Sequence, residues 1–156
     1  MAKRLNGSVM FRKRTNVNDR FRVRVPGLFC VYCGVYADTN EHFPPVSHSV
    51  RGFVLPCCHE CNVIAGSAHG TDFKKRALHV KRKLRSRYAK FLRVPIWSAD
   101  ELNEMGHDMK RDIRICQDKK RIVQSRLVWS AEGYLASIGQ GKDFVLTNAE
   151  WDTTTE

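Results

Sequence analysis

The sequence predicts a small α+β protein, with a cysteine-rich core of short strands between a basic arm and a helical extension. Short apolar runs separated by turn residues occur before residue 60, and apolar residues recur at helical spacing from residue 71 onward. With 156 residues, the chain has room for one domain with its own core. We expect a basic N-terminal arm and strand over 1–27, a core with a basic helix over 28–95 and a helical C-terminal extension over 96–156.

The arm ends in a sequence that is typical of a short strand with one arginine face. Apolar and basic residues alternate there with the period of two at which strand side chains change faces. Pro26 and Gly27 then end the strand. The apolar residues are Phe21, Val23 and Val25, and the arginines expected on the exposed face are Arg20, Arg22 and Arg24.

Two further extended segments are expected in the core. Pro44 and Pro45 lack amide donors and bias the residues before them away from helix. Phe53–Leu55 is an apolar run of strand length. A short helix is expected to begin at Asn62.

The second half of the chain is typical of amphipathic helices. Thr71 is a good N-cap, and apolar residues recur every three or four positions as far as Phe91, which predicts a helix of about six turns. Ser98 and Glu101 form a capping-box pattern that starts a second helix, which Gly106 weakens locally. The apolar stripe of the helices after Thr71 fits either a homodimer interface or packing against the chain's own core.

Two weaker signals lie near the C-terminus. Trp129 and Ser130 repeat the Trp-Ser pair of Trp97 and Ser98 and are interpreted as another helix start. Phe144–Leu146 is an apolar run that fits a short strand.

Charge is the most informative feature of the composition. The chain has a formal net charge of +11 and a pI near 9.7. Residues 1–25 hold eight Lys and Arg against Asp19 alone, and residues 71–93 hold ten against Asp72 alone. Basic blocks on both sides of a site favour binding of a phosphate backbone, because Lys and Arg displace condensed counterions. A solvated basic surface without a partner is the alternative.

The cysteines predict a metal site. No apolar run reaches the length of a signal peptide or membrane span, so we expect a cytoplasmic protein with no membrane partner. In a reducing compartment, six cysteines favour metal binding over disulfides. Two Cys-x2-Cys pairs, separated by 24 residues, have the spacing of a structural zinc site. The expected ligands are Cys30, Cys33, Cys58 and Cys61. Cys57 is a rival to Cys58, but the tighter spacing favours Cys58, and we expect Cys57 and Cys116 in the core.

Two motifs in this region resemble a known family. Glu41-His42-Phe43-Pro44-Pro45 lies between the cysteine pairs, and the second pair lies in Leu55-Pro56-Cys57-Cys58-His59-Glu60-Cys61-Asn62. Over about residues 28–70, the chain resembles the HNH, or ββα-metal, endonucleases with a four-cysteine zinc site, of the phage endonuclease VII-like type. The resemblance implies a zinc-stapled ββα-metal core that hydrolyses phosphodiester bonds, in the host cytoplasm if the chain is phage-encoded.

The resemblance also implies catalytic roles. It makes His42 the general base and makes Glu41 and Asn62 the ligands of a catalytic Mg²⁺ or Mn²⁺. An imidazole takes a proton from water near neutral pH, and oxygen ligands suit these hard cations. The chain departs from the pattern at Glu41, where aspartate is usual, and at Phe53, where an asparagine usually braces the loop between the strands.

The expected partner is DNA, either duplex or branched. The side chains expected to contact it lie in the arm, in the loop between the strands and along the basic helix. They are Arg20, Arg22, Arg24, His48, Arg51, Lys74, Lys75, Lys81, Arg82 and Arg85. The alternative function is a zinc-containing nucleic-acid-binding or regulatory protein that has this fold but does not cleave.

Overall fold

The computed structural model describes residues 19–138, and over this range it has the mixed α+β architecture that the sequence predicts. Three strands form one sheet, and six helices follow. The elements are β1 (Arg22–Arg24), β2 (Thr39–Phe43), β3 (Gly52–Cys57), α1 (His59–Ala65), α2 (Phe73–Arg87), α3 (Ala89–Leu92), α4 (Ala99–Asn103), α5 (His107–Val128) and α6 (Ala131–Ile138). The strand predicted at Phe144–Leu146 and most of the basic arm lie outside the described residues.

The sheet sets which residues can meet. Its strand order is β1-β3-β2, with β2 antiparallel and β1 parallel to the central β3. Val54 pairs with both His42 and Arg24, while Leu55 pairs with Glu41. Because directly paired residues share one face of a sheet, His42 and Arg24 lie on one face. Glu41 lies on the opposite face, which packs against the helices.

β1 corrects the predicted exposure of the arm strand. Phe21 and Val23 are 59% and 61% exposed, whereas Arg22, expected on the exposed face, is buried. The Arg22 guanidinium donates to the carbonyl oxygens of Ser49 and Phe53 at 2.5 and 3.3 Å. Arg24 stays exposed and Val25 stays buried, as predicted. Arg22 turns inward because these carbonyls need a donor that an apolar side chain does not supply.

Cap chemistry sets the starts of two helices. α1 begins inside the second cysteine pair, earlier than predicted, and Sγ of Cys58 accepts from the backbone amide of Cys61. The N-cap of α2 is Asp72 rather than Thr71, because the Asp72 carboxylate accepts from the amide of Lys75 at 3.0 Å. Each cap satisfies an amide that the first helical turn leaves without a partner.

The two long predicted helices are each interrupted. α2 ends at Arg87, and the short α3 follows Tyr88. The capping box of Ser98 and Glu101 is confirmed, but Gly106 is extended at the N-cap of α5 and separates it from α4. The local weakening predicted at this glycine is therefore a full break, since glycine is costly inside a helix. Within residues 19–138, no helix is both long and apolar enough to cross a membrane.

The core lies between the sheet, α1, α2 and α6. The rings of Tyr32 and Phe73 stack with centroids 5.7 Å apart, and Phe43 meets Phe73 edge-on at 5.3 Å. Val80 and Leu84 of α2 are fully buried in the same cluster. The apolar stripe of α2 thus packs against the chain's own core, and the homodimer stays a prediction.

Trp129 fixes the C-terminal helices to the first cysteine pair. Its indole Nε1 donates to the carbonyl of Val31 at 3.2 Å. Its ring lies against Gly34, where φ is +74° and an added Cβ would come within 2.3 Å of the ring. Lys81 of α2 donates to the carbonyls of Arg126 and Trp129 at 2.5 and 2.7 Å, which caps the end of α5. The helical extension and the core are therefore packed together.

Candidate metal centre and nucleic-acid interface

The four predicted zinc ligands converge. The Sγ atoms of Cys30, Cys33, Cys58 and Cys61 lie within 4.8 Å of one another, and all four residues are buried. Tetrahedral zinc with Zn–S bonds of about 2.3 Å separates its sulfurs by about 3.8 Å. The Sγ atoms of Cys33 and Cys58 are 3.8 Å apart. The donor set therefore fits a metal such as zinc. Across residues 19–138, no other group of three His, Cys, Asp or Glu side chains is close enough to hold an ion.

Cys57 lies beside this cluster but outside it. Its Sγ is 3.9 Å from Sγ of Cys30 and donates to the carbonyl of Cys58 at 3.3 Å. Cys57 is fully buried, so it packs as the core residue that the sequence predicts. Cys116, also expected in the core, is only half-buried on α5.

Positive side chains lie next to the thiols. Nη2 of Arg126 is 3.9 Å from Sγ of Cys61 and donates to Oε2 of Glu60 at 2.7 Å. Glu60 also accepts from Arg87 at 2.8 Å and from Tyr88 at 2.6 Å. Four thiolates around Zn²⁺ would carry a net charge of about −2, which the guanidinium of Arg126 would offset. The second cysteine pair is thus held by α2 and α5 as well as by α1.

Glu41 forms a buried ion pair with Arg76. The residue is 1% exposed, and its Oε1 accepts from Nε of Arg76 at 2.7 Å and also from Nη2. Burial raises the pKa of Glu41, although Arg76 and the hydroxyl of Tyr32 oppose this shift. Oε2 is buried and has no hydrogen-bond partner in the described part of the chain.

This arrangement does not fit a divalent cation. The guanidinium of Arg76 already neutralises the carboxylate, and a second positive charge beside it would be repelled strongly where water is excluded. A catalytic cation also needs a path to the substrate phosphate, which a fully buried carboxylate does not offer. The role of Glu41 as a cation ligand stays a prediction, and this geometry does not support it.

Asn62 holds α1 against β2. Its Nδ2 donates to the carbonyl of Asn40 at 3.1 Å and to the hydroxyl of Thr39 at 3.3 Å. Because strand side chains alternate, Thr39 and Glu41 lie on the same face of β2. Asn62 is therefore on the Glu41 side of the sheet, with its amide nitrogen engaged in fixing the helix.

His42 lies on the other face, beside Asp19, which no motif of the sequence places at the site. Its Nε2 is 2.6 Å from Oδ1 of Asp19, and Oδ2 of Asp19 accepts from Arg24 at 3.0 Å. The side chains of His42 and Asp19 are 21% and 18% exposed. Nδ1 of His42 makes no hydrogen bond to residues 19–138. One signal points to Asp19, which is the single acid of the basic arm.

The structure therefore does not bring the three predicted catalytic residues to one point. Glu41 and His42 are strand neighbours and face opposite sides of the sheet. In the described chain, no hydrogen bond joins His42 to Glu41 or to Asn62. The partners they do have are Arg76 for Glu41, Asp19 for His42 and β2 for Asn62.

Arg22 braces the loop between β2 and β3. Phe53 occupies the position where the HNH pattern has a bracing asparagine, and its side chain packs against the core. The Arg22 bonds to the carbonyls of Ser49 and Phe53 span the second half of this loop. An arginine of the arm thus holds the loop that the asparagine would otherwise hold.

The predicted DNA contacts divide into occupied and free side chains. Lys81 and Arg22 are engaged with backbone carbonyls and are not available to phosphates. Arg24 pairs with Asp19 at 3.0 Å, and Lys75 pairs with Asp72 at 3.7 Å. The ring of His48 lies against the backbone of Gly70. Of the ten predicted contacts, five are exposed and have no ion pair among residues 19–138, namely Arg20, Arg51, Lys74, Arg82 and Arg85.

Comparison with known proteins identifies no relative. No protein-family model matches the chain, and no curated protein or solved structure is significantly similar to it. The function is therefore inferred from the residues and their geometry.

Proposed function

We propose that the chain is a zinc-stabilised nucleic-acid-binding protein that contacts the backbone of duplex DNA with the exposed face of α2. The observation that carries this proposal is the charge of that helix. Phe73–Arg87 contains no acidic residue, and Lys74, Arg82 and Arg85 are exposed without an ion pair among the described residues. Basic side chains that are not engaged with carboxylates can release counterions from DNA.

Three exposed basic side chains of α2 lie on one side of the helix. Lys74, Arg82 and Arg85 are separated by eight and three positions, which places them within about 80° of one another at 3.6 residues per turn. The buried residues Phe73 and Leu84 lie on the opposite side. The helix is about 22 Å long, and duplex DNA carries one charge per about 1.7 Å of its axis. This face can therefore contact several phosphates at once.

The metal centre supports this surface indirectly. α1 begins in the second cysteine pair and packs against α2. Lys81 of α2 also ties the helix to the end of α5, next to Arg126 and the thiols. Loss of the metal is therefore expected to release α2 and weaken DNA binding.

Charge reversal tests the proposal. Fluorescence anisotropy with a labelled duplex would compare the wild type, the triple variant K74E/R82E/R85E and the matched triple variant R111E/R114E/R121E on α5. We expect affinity to fall by more than about tenfold for the α2 variant and to fall much less for the α5 variant. Equal losses in both variants, with zinc content unchanged, would contradict a specific role for α2.

A second candidate function is phosphodiester hydrolysis of the HNH type, and the Asp19–His42 contact favours it. With Nε2 bonded to Asp19, Nδ1 is the nitrogen free to accept a proton from water. Attack of that water on phosphorus would form a P–O bond and break the bond to the 3′ oxygen, which would leave as the 3′ hydroxyl after taking a proton from solvent, while exposed arginines stabilise the added negative charge. No step is assigned to a cation at Glu41, because Arg76 occupies that position.

Plasmid nicking separates the two candidates. Supercoiled plasmid would be incubated with the zinc-loaded chain in Mg²⁺, Mn²⁺ or EDTA, beside the variants H42A and D19A. Nicking that both substitutions abolish would establish hydrolysis. If the chain binds DNA but does not nick the plasmid in any of the three incubations, the result would support the binding function and contradict hydrolysis.

A further inference from the structure

We propose that Arg76 is a built-in replacement for a divalent cation: its guanidinium occupies an oxygen-lined site between β2 and the C-terminal end of α1 and excludes Mg²⁺ or Mn²⁺ from Glu41. This inference concerns the metal chemistry of the core and does not depend on DNA binding. It accounts for the disagreement between the motif, which implies a cation at Glu41, and the structure, in which an ion pair occupies that position.

The site around Arg76 is made of oxygen atoms. Nε lies 3.1 Å from the Tyr32 hydroxyl and 2.7 Å from Oε1 of Glu41. The two terminal nitrogens donate to backbone carbonyls of the last residue of α1 and of the chain that follows it, and one of them also donates to Glu41. These carbonyl contacts are Ala65 at 3.2 Å, Gly66 at 2.6 Å and Ala68 at 2.6 Å. Carboxylate, hydroxyl and carbonyl oxygens are the ligand types of a hard divalent cation.

Charge explains why a cation suits this position. The last carbonyls of a helix have no intrahelical partner and carry partial negative charge, which adds to the carboxylate of Glu41. Arg76 is 1% exposed, so this concentration of negative charge cannot be screened by water. A buried positive charge is required, and the guanidinium supplies it with directed hydrogen bonds.

The Arg76 guanidinium and a divalent ion cannot both occupy the position beside Glu41. While Arg76 is in place, a divalent ion at Glu41 would lie within a few ångströms of a like charge. Without the Arg76 side chain, Glu41 and the carbonyls would line a cavity that lacks its positive charge. The wild type should therefore bind no divalent cation through Glu41, and truncation of Arg76 should create a site for one.

Mn²⁺ is the probe for this experiment, read by its electron paramagnetic resonance signal and by thermal unfolding of the zinc-loaded chain. The variants are R76A, the double variant E41Q/R76A and K83A, which truncates an exposed basic side chain of the same helix that has no ion pair among residues 19–138. We expect millimolar Mn²⁺ to leave the Tm of the wild type and K83A unchanged. For R76A, we expect a lowered Tm that Mn²⁺ raises by about 4 °C or more, with no such rise in E41Q/R76A.

Two results would overturn the proposal. One is equal Mn²⁺ stabilisation of R76A and E41Q/R76A, which would show that the cavity is not a cation site. The other is Mn²⁺ binding by the wild type that is lost in E41L/R76M, which would show that a divalent ion reaches Glu41 beside Arg76.

The proposal can be tested even if R76A does not fold without Mn²⁺. Removing one partner of a buried ion pair is strongly destabilising, but replacing both partners with apolar residues is often tolerated. If R76A fails to fold without Mn²⁺, its recovery on refolding with Mn²⁺ becomes the readout, with E41Q/R76A as the control. The Mn²⁺ titration of the wild type against E41L/R76M decides the exclusion of the cation in either case.

Discussion

Arg126 and Glu60 form a hydrogen-bonded ion pair at 2.7 Å across 66 positions of sequence, directly beside the second cysteine pair. Glu60 belongs to α1, which starts at the metal centre, and Arg126 belongs to the last turn of α5. The same guanidinium approaches Sγ of Cys61 and lies over the ring of Tyr88. The pair therefore links the helical extension to the four converging cysteines of the candidate metal centre.

Disrupting this pair should loosen the extension. We expect Glu60→Gln to lower the free energy of unfolding by about 1 kcal/mol, a modest value because Glu60 is partly exposed and solvent screens the charge. Chemical denaturation would measure the change. Glu104→Gln, at an exposed glutamate with no ion pair among residues 19–138, provides a matched control for loss of one carboxylate.

The stabilisation that Glu60 contributes to the fold should decrease as the pH falls. Burial acts to raise the pKa of Glu60, but the hydrogen bonds from Tyr88, Arg87 and Arg126 outweigh it, so the pKa lies below the ordinary 4.5. An acid with a lowered pKa stabilises the fold above its unfolded pKa and stops doing so as pH falls through its folded pKa. The stability difference between wild type and Glu60→Gln should thus be constant from neutral pH to about pH 6 and shrink below 4.5. A difference that grows on acidification would contradict this assignment.

Substitution of Cys58 and of its neighbour Cys57 should have different effects on zinc binding. Cys58→Ser removes one of the four converging sulfurs, so we expect loss of bound zinc and a large drop in Tm. Cys57→Ser changes a buried side chain outside the cluster and should keep one zinc per chain. Zinc content measured by mass spectrometry, together with Tm, decides between them. Zinc loss in Cys57→Ser alone would mean that the wrong cysteine has been assigned.

Gly34 should tolerate no side chain. Its φ of +74° is strained for other residues, and an added Cβ would meet the Trp129 ring at 2.3 Å. We expect Gly34→Ala to cost about 2 kcal/mol or more and to alter the fluorescence of Trp129. Gly106→Ala is the control, because no atom lies within 4 Å of the added Cβ and the backbone there is ordinary. A similar loss in both variants would argue against the Trp129 contact as the cause.

Helix capping gives a prediction at two adjacent positions. Asp72 accepts the hydrogen bond from the amide of Lys75, so Asp72→Ala should cost about 1 kcal/mol. Thr71 is exposed and is not the cap, so Thr71→Ala should be close to neutral. Thermal unfolding of the two variants tests which residue starts α2.

What the sequence could predict depended on how local the signal was. Cys30, Cys33, Cys58 and Cys61 could be paired because metal geometry restricts their spacing, and the Ser98 capping box spans only four consecutive positions. The order of strand, strand and helix around the cysteines could also be predicted from the sequence. Each of these features is set by residues close together in the chain.

The contacts that decide the chemistry of the site were not accessible. Glu41 and Arg76 are 35 positions apart, and Asp19 and His42 are 23 apart. Nothing in local periodicity specifies such partners, since burial of a charged side chain depends on the charges that the whole fold brings to it. For the same reason Arg22 was expected on the exposed face, although loop carbonyls draw it inside.

The salt dependence of DNA binding tests the central claim most directly. The logarithm of the association constant falls linearly with the logarithm of salt concentration, with a slope of about −0.9 per phosphate contacted. If Lys74, Arg82 and Arg85 each contact a phosphate, the slope for K74E/R82E/R85E should be shallower than that of the wild type by about 2 to 3 units. Identical slopes for the two proteins would contradict binding through α2.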